Sequence, residues 1–198
     1  MKRSAGAPAT FWSMALRASA LATYDDLAAL PEHVVGEIVF GMLHTHPRPR
    51  PMHARVSSRL GVRLGGRFDH DGPGGWVLLD EPELHLGPHV VVPDLAGWRR
   101  ERLPEIPVDE PYFELPPDWC CEVLSKGTEA LDRGEKRRIY ETFMVGHLWL
   151  VDAEAQTVEV HVLEGSEYRL AHTARGTDAH GLPPFEGFLL TLGDLWAR

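Results

Sequence analysis

Apolar residues recur along the chain in two periods, separated by polar punctuation into short elements. Residues 53–64 place Val56, Leu60 and Leu64 at helical spacing and stop at Gly65-Gly66, which predicts an amphipathic helix. Residues 128–145 predict a second: Leu131, Ile139 and Phe143 share a face, Thr128 stands where a cap belongs, and Gly146 follows the end. Strand signals fill much of the rest. Over residues 157–163, Val158, Val160 and Val162 face one way and Glu159 and His161 the other. Residues 34–43 are β-rich, with a bend or hairpin turn at Phe40-Gly41, and residues 76–79, 119–124, 148–151 and 168–171 read as further strands. Residues 89–98 read as one strand broken at Pro93, Asp25 and Asp26 open a short capped helix ending at Pro31, and residues 188–196 close the chain with an apolar segment. Pro104, Pro107, Pro111, Pro116 and Pro117 deny any period to residues 99–118, and a loop that long is usually functional or disordered. The order predicts an α+β (α/β-like) domain, with a mixed sheet packed against two principal helices.

Composition narrows the setting. The chain has 198 residues, 43% hydrophobic and 25% charged, enough for one domain with a filled core. We divide it into an N-terminal arm over residues 1–23 and a domain over residues 24–198. The arm carries Lys2, Arg3 and Arg17 and no acid; Arg17 interrupts what would be the apolar core of a secretion signal. No apolar run reaches the roughly 18 residues of a membrane span. The two cysteines, Cys120 and Cys121, are adjacent, too few for a disulfide framework and wrongly spaced for a metal knuckle, which fits a reducing cytoplasm. Net charge is −9, and residues 24–198 alone carry 17 basic against 29 acidic side chains. So acidic a body is poorly suited to non-specific nucleic-acid binding, where phosphate neutralisation dominates affinity.

Two carboxylates stand out because their surroundings are apolar. Asp94 follows Val90-Val91-Val92-Pro93, and Glu122 sits inside Trp119-Cys120-Cys121-Glu122-Val123. Burying a carboxylate costs several kcal/mol unless a cation or donor compensates. If the two strands are neighbours, the oxygens converge as a hard-ligand pair of the kind Mg²⁺ uses; otherwise Asp94 ends a strand and Glu122 pairs with an arginine. On the predicted helix, Asp132, Lys136 and Tyr140 recur at i, i+4 and i+8, a polar stripe at the edge of the apolar one. It reads either as a lysine aimed at a phosphate or metal site, or as an ordinary Asp–Lys pair. His44, His46 and His53 offer a competing zinc reading with an open fourth position, although Pro47, Arg48, Pro49, Arg50 and Pro51 make the intervening stretch an exposed basic loop. His53 opens a helix on the face of Val56, Leu60 and Leu64. No G-x-S-x-G, G-x-G-x-x-G or phosphate-loop motif is present.

In order, Glu37 with Gly41, His53, Pro93-Asp94, Glu122-Val123-Leu124-Ser125, Thr128, Asp132, Lys136, Tyr140, and Gly146-His147-Leu148-Trp149-Leu150-Val151-Asp152 resemble the Uma-type restriction endonuclease family of the PD-(D/E)XK nuclease superfamily. The resemblance runs from about Tyr24 to the C-terminus. It implies a restriction-endonuclease-like core, a central mixed β-sheet flanked by helices, assembled as a homodimer and acting on DNA. It further implies that Asp94 and Glu122 bind Mg²⁺ or Mn²⁺ with the Val123 carbonyl as a further ligand. The superfamily lysine is expected two residues after the acid, where this chain has Leu124; Lys136 on the following helix is the matching residue, and Lys126 is the second candidate. Glu37 and His53 match recurrent polar positions, and Asp132 and Tyr140 would hold the lysine. Read from the residues alone, Arg99, Arg100 and Arg102, with Arg133, Lys136, Arg137 and Arg138, form either the local basic surfaces that DNA would need or an ordinary solvated charged surface. Three functions stay open: a metal-dependent DNA endonuclease, a catalytically inactive nuclease fold used for binding or assembly, and an unrelated hydrolase, the zinc variant included.

Overall fold

The computed structural model describes residues 21–31, 33–46, 49–70 and 75–197. Lys2, Arg3, Arg17 and all but the last three residues of the expected arm lie outside these, as do Pro47 and Arg48. In chain order, α1 (Tyr24–Ala28) leads into β1 (Val35–Val39) and β2 (Met42–His46). Next come α2 (Pro51–Gly65), which continues into a π-helical turn (Gly66–His70), then β3 (Trp76–Asp80), β4 (Leu84–Leu86), β5 (His89–Val91), β6 (Leu95–Arg99) and β7 (Trp119–Val123). A helix over residues 129–142 follows, built of α3 (Glu129–Leu131), a π-helical turn (Asp132–Lys136) and α4 (Arg137–Thr142). The chain ends with β8 (His147–Asp152), β9 (Thr157–Glu164), β10 (Glu167–Arg175), β11 (Ala179–Gly181), β12 (Leu189–Thr191) and α5 (Leu192–Trp196).

Six strands form the central sheet in the order β3-β6-β7-β8-β9-β10. Every neighbouring pair is antiparallel except β7 with β8. That parallel pair needs a crossover, which the 129–142 helix supplies. The mixed sheet flanked by helices predicted from the pattern is therefore the observed architecture. A four-stranded sheet, β2-β1-β5-β4, and the small β11-β12 ribbon are additions that the pattern did not predict.

The central sheet is buried on both faces. On one, Trp119, Cys121 and Val123 of β7 pack with Val56, Leu60 and Leu64 of α2 and Leu192 and Leu195 of α5. On the other, Cys120 packs with Ile139 and Tyr140 of the 129–142 helix and with Val39, Leu84 and Val91 of the four-stranded sheet. Because strand residues alternate, Glu122 shares the face of Cys120 and points at that helix. Both cysteines are fully buried core residues, and burial drives both thiols well above their ordinary range.

Local chemistry explains where expectation and structure part. Thr23, not Asp25 or Asp26, caps α1, in a reciprocal arrangement with the Asp26 side chain. Phe40 and Gly41 both have positive φ (48° and 76°), the pattern of the tight hairpin turn that matches strand twist. Residues 89–98 are two strands in two sheets, because Pro93 lacks an N–H for the ladder and the chain changes sheets there. Thr128 occupies the cap position without a side-chain capping bond, and its hydroxyl meets Ser125 at 3.0 Å instead. Residues 100–118 form no strand, yet Trp98 Nε1 donates to Leu115 O at 2.9 Å and Arg102 pairs with Asp118 at 2.6 Å, fixing the loop to the sheet. Among the described residues no helix is long and apolar enough to cross a membrane.

Candidate active site

The register of β6 on β7 pairs Leu95 with Cys121, so Asp94 and Glu122, the next residue along each strand, are neighbours. The backbone N–H of Val123 donates to Asp94 Oδ2 at 2.7 Å, which fixes one carboxylate oxygen. Asp94 thus sits at the sheet switch made by Pro93, with its side chain turned back onto β7. Glu122 receives two donors on the same oxygen: Tyr140 Oη at 2.6 Å and Lys136 Nζ at 2.9 Å, both on Oε1.

Lys136 is the hub. Its ammonium lies 2.9 Å from Glu37 Oε1, 2.9 Å from Glu122 Oε1 and 3.4 Å from the Val92 carbonyl. Asp132 Oδ1 stands 3.7 Å away. An ammonium has three donors, and Glu37, Glu122 and Val92 occupy all of them. The sequence placed Asp132, Lys136 and Tyr140 at the edge of the helix's apolar face; all three are buried. An α-helix advances about 100° per residue, so such a stripe would drift by roughly 80° over eight residues. The wider winding of the π-helical turn between Asp132 and Lys136 takes up part of that drift and keeps the three in line.

Three carboxylates, Glu37, Glu122 and Asp132, surround the Lys136 ammonium, and their proton affinities divide accordingly. Burial pushes Glu37 up, but the Lys136 ammonium, His46 and the Val92 N–H outweigh it and hold it at about 2. Glu122 goes the other way. Burial, with Asp132, Asp94 and Glu37 adding repulsion, drives it well above the carboxylate range despite Lys136. Asp132 is raised as well, chiefly by burial. Burial alone would lower Lys136, yet Glu122, Glu37 and Asp132 raise it well above an ordinary lysine, so it stays charged.

These groups floor a cleft of about 270 Å³ whose walls include His46, Arg50, His53 and Lys126. His53 Nε2 stands 3.3 Å from Asp94 Oδ1, and the imidazole lies beside the Val123 backbone carbonyl. Burial lowers His53, but its bond to Asp94 carries it above the ordinary value. Lys126 lies at the rim, 72% exposed and 3.2 Å from Glu154 Oε2, whereas Lys136 is 3% exposed at the floor. The histidine trio of the zinc reading does not come together: His46 bonds Glu37 Oε2 at 2.7 Å, His53 faces Asp94, and His44 Nε2 is buried with no hydrogen-bond partner among the described residues.

The expected basic surfaces are also corrected. β6 carries Arg99 and its neighbours about 16 Å from Asp94, at roughly 3.3 Å per residue, where Arg100 pairs with Asp69 and Arg102 with Asp118. Arg133 is bound by Glu129 and Glu159, Arg137 by Glu141, and Arg138 lies over the Phe40 ring. Arg50, from the proline-flanked loop first read as mere exposed surface, is the arginine that lines the cleft. His46 and the Val92 backbone were missed as parts of the site; only the pairing of β1 with β2 and β5 reveals them.

Among the described residues, no three His, Cys, Asp or Glu side chains converge as a ready metal cage. The donor set nevertheless suits a hard divalent cation: two adjacent carboxylates, Asp94 and Glu122, the Val123 backbone carbonyl beside His53, and a cleft with room for water. The excess of buried negative charge is what such an ion would neutralise.

Residues 21–193 match the family model described as "Uma2: Putative restriction endonuclease". The fold is similar to a solved structure titled as a putative nuclease belonging to DUF820 from Anabaena variabilis ATCC 29413. Identity to it is 22% and the TM-score 0.73, over 88% of this chain and 97% of that one. No curated protein matches the chain.

Proposed function

The chain belongs to the Uma2 family, and from that premise we propose that it is a divalent-metal-dependent endonuclease hydrolysing DNA phosphodiester bonds. The observation that carries this reading is Lys136, buried and held 2.9 Å from Glu122, with Asp94 the adjacent carboxylate at the floor of an open cleft. Asp94 and Glu122, with the Val123 carbonyl, would hold Mg²⁺ or Mn²⁺. When bound, such an ion supplies an activated water near neutral pH and charge neutralisation at phosphorus.

The chain's own groups define the rest. Asp94 Oδ2 is held by the Val123 N–H and Oδ1 stands 3.3 Å from His53 Nε2, so the carboxylate lines the cleft in a fixed geometry. Tyr140 and Lys136 both engage Oε1 of Glu122, leaving Oε2 as its ligand oxygen. Lys136 keeps its proton and spends its donors on protein oxygens, so it acts as a fixed positive charge beside the reacting phosphate and not as a base. Glu37 and Asp132 hold that ammonium in place, and His53 holds Asp94 from the Oδ1 side. Arg50 and Lys126 at the cleft walls would meet flanking phosphates. The reading carries with it a catalytic domain over residues 24–198 with an appended arm, a homodimer and a cytoplasmic setting.

The test is nicking of supercoiled plasmid by purified protein with Mg²⁺ or Mn²⁺. Cleavage that disappears in Asp94→Ala supports the proposal. Protein that binds the ion yet never exceeds the Asp94→Ala background is instead an inactive nuclease fold used for binding or assembly.

A further inference from the structure

Glu37 is the residue that ties the four-stranded sheet to the catalytic lysine, and its own orientation has a cause in the β1–β2 hairpin. The register pairs Glu37 with His44 and Val35 with His46. His46 is therefore the diagonal neighbour of Glu37 on the same face, within reach of a long side chain. It uses that reach: His46 Nε2 lies 2.7 Å from Glu37 Oε2. The other oxygen, Oε1, takes the Val92 N–H at 2.7 Å and the Lys136 ammonium at 2.9 Å. A glutamate has three side-chain torsions, and a carboxylate gripped on one oxygen only can still turn about its last bond. With both oxygens bound, Oε1 has one place to be. His46 lines the cleft with 20% of its side chain exposed, whereas Glu37 behind it is 3% exposed.

We propose that His46 is a positioning residue: by gripping Glu37 Oε2 it fixes Glu37 Oε1 against the Lys136 ammonium, and so sets where the fixed charge of the site stands. This rests on the nuclease reading for its catalytic consequence, though not for its geometry. The contiguous chain is His46–Glu37–Lys136–Glu122, closed at its far end by Tyr140. His46 touches neither Asp94 nor Glu122 in it. Its loss leaves the metal-binding carboxylates in place and loosens the ammonium between them.

The experiment compares His46→Ala, His46→Gln and His46→Asn in the full chain. Glutamine carries its amide nitrogen at about the reach of Nε2, whereas asparagine stops at the reach of Nδ1. The first readout is independent of turnover. A buried, ion-paired ammonium exchanges its protons slowly, so Lys136 should give a resolved ¹H–¹⁵N side-chain signal, assigned by its absence in Lys136→Met. That signal should shift or broaden in His46→Ala and His46→Asn and return in His46→Gln. The second readout is plasmid nicking with Mn²⁺: kcat should fall at least tenfold in His46→Ala and His46→Asn with KM changed less than twofold, and His46→Gln should recover most of it. An unchanged Lys136 signal in His46→Ala, or a glutamine variant as perturbed as alanine, overturns the positioning role. A wild-type protein that cuts nothing overturns the nuclease reading instead, while the Lys136 signal still decides for or against His46.

Discussion

Replacing Lys136 with methionine keeps most of the side chain's length and removes the charge that faces three buried carboxylates. The ammonium contacts Glu37 and Glu122 at 2.9 Å and Asp132 at 3.7 Å, with all four side chains at most 6% exposed. Removing one member of a buried ion pair costs about 3–5 kcal/mol, because the partner's charge is left without compensation. For a domain of this size each kcal/mol is worth about 2–4 °C in Tm, so Lys136→Met should melt roughly 10 °C below wild type at pH 8. The sign of the pH dependence is the sharper test. Without the lysine, Glu122 and Asp132, which burial already raises, lose the cation that lowers them, so their folded-state pKa values stand further above the unfolded ones. The native state then binds more protons than the unfolded chain, so the variant's deficit should shrink as pH falls from 8 to 5. Circular-dichroism melts across that range, without divalent ions, measure it directly. A Lys136→Met protein as stable as wild type at pH 8, or a deficit that grows on acidification, would refute the account of how this charge cluster is balanced.

Other outcomes follow from the same geometry. Glu122→Gln should abolish plasmid cleavage while leaving Tm equal to or above wild type, since the change removes the buried charge least supported by its surroundings; retained cleavage would exclude Glu122 as a ligand. Lys126→Ala should keep cleavage within a few fold of wild type and Tm within about 1–2 °C, because an exposed pair with Glu154 contributes little; a loss as large as that of Lys136→Ala would transfer the lysine role. Glu37 is held at about 2 against an ordinary 4.5, so its contribution, about 3 kcal/mol, is intact above pH 4.5 and is lost as pH falls towards 2. Urea titrations between pH 5 and 2 should show that slope in wild type and a flatter one in Glu37→Gln.

What the chain disclosed unaided was local. Asp94 and Glu122 were conspicuous because carboxylates inside apolar runs demand an explanation, and the helix period aligned Asp132, Lys136 and Tyr140. Alternation in residues 157–163 and the helical spacing of Val56, Leu60 and Leu64 likewise needed no partner to be read. The illegible features all depend on residues distant in sequence. Pro93 marked a break, but nothing local said that the chain would change sheets there. The arginines near Asp94 and on the long helix looked like a basic surface because their partners, Asp69, Asp118 and Glu159, come from other elements. His46 looked like one of three zinc ligands until strand pairing set it on Glu37. The π-helical turn left no signature in the periodicity, and its effect was to bury a stripe that an ideal helix would have left at an edge.

The switch at Pro93 has a consequence for when this site can form. Glu37 and His46 belong to the four-stranded sheet, Glu122 to the six-stranded one, Lys136 to the crossover helix, and Asp94 to the short link joining the two sheets. No single element contains the assembly, and neither does either sheet by itself. Until those layers dock, nothing local in the sequence holds these acids and the lysine together. The charge cluster therefore forms only when both sheets and the crossover helix have docked, and not with any one of them.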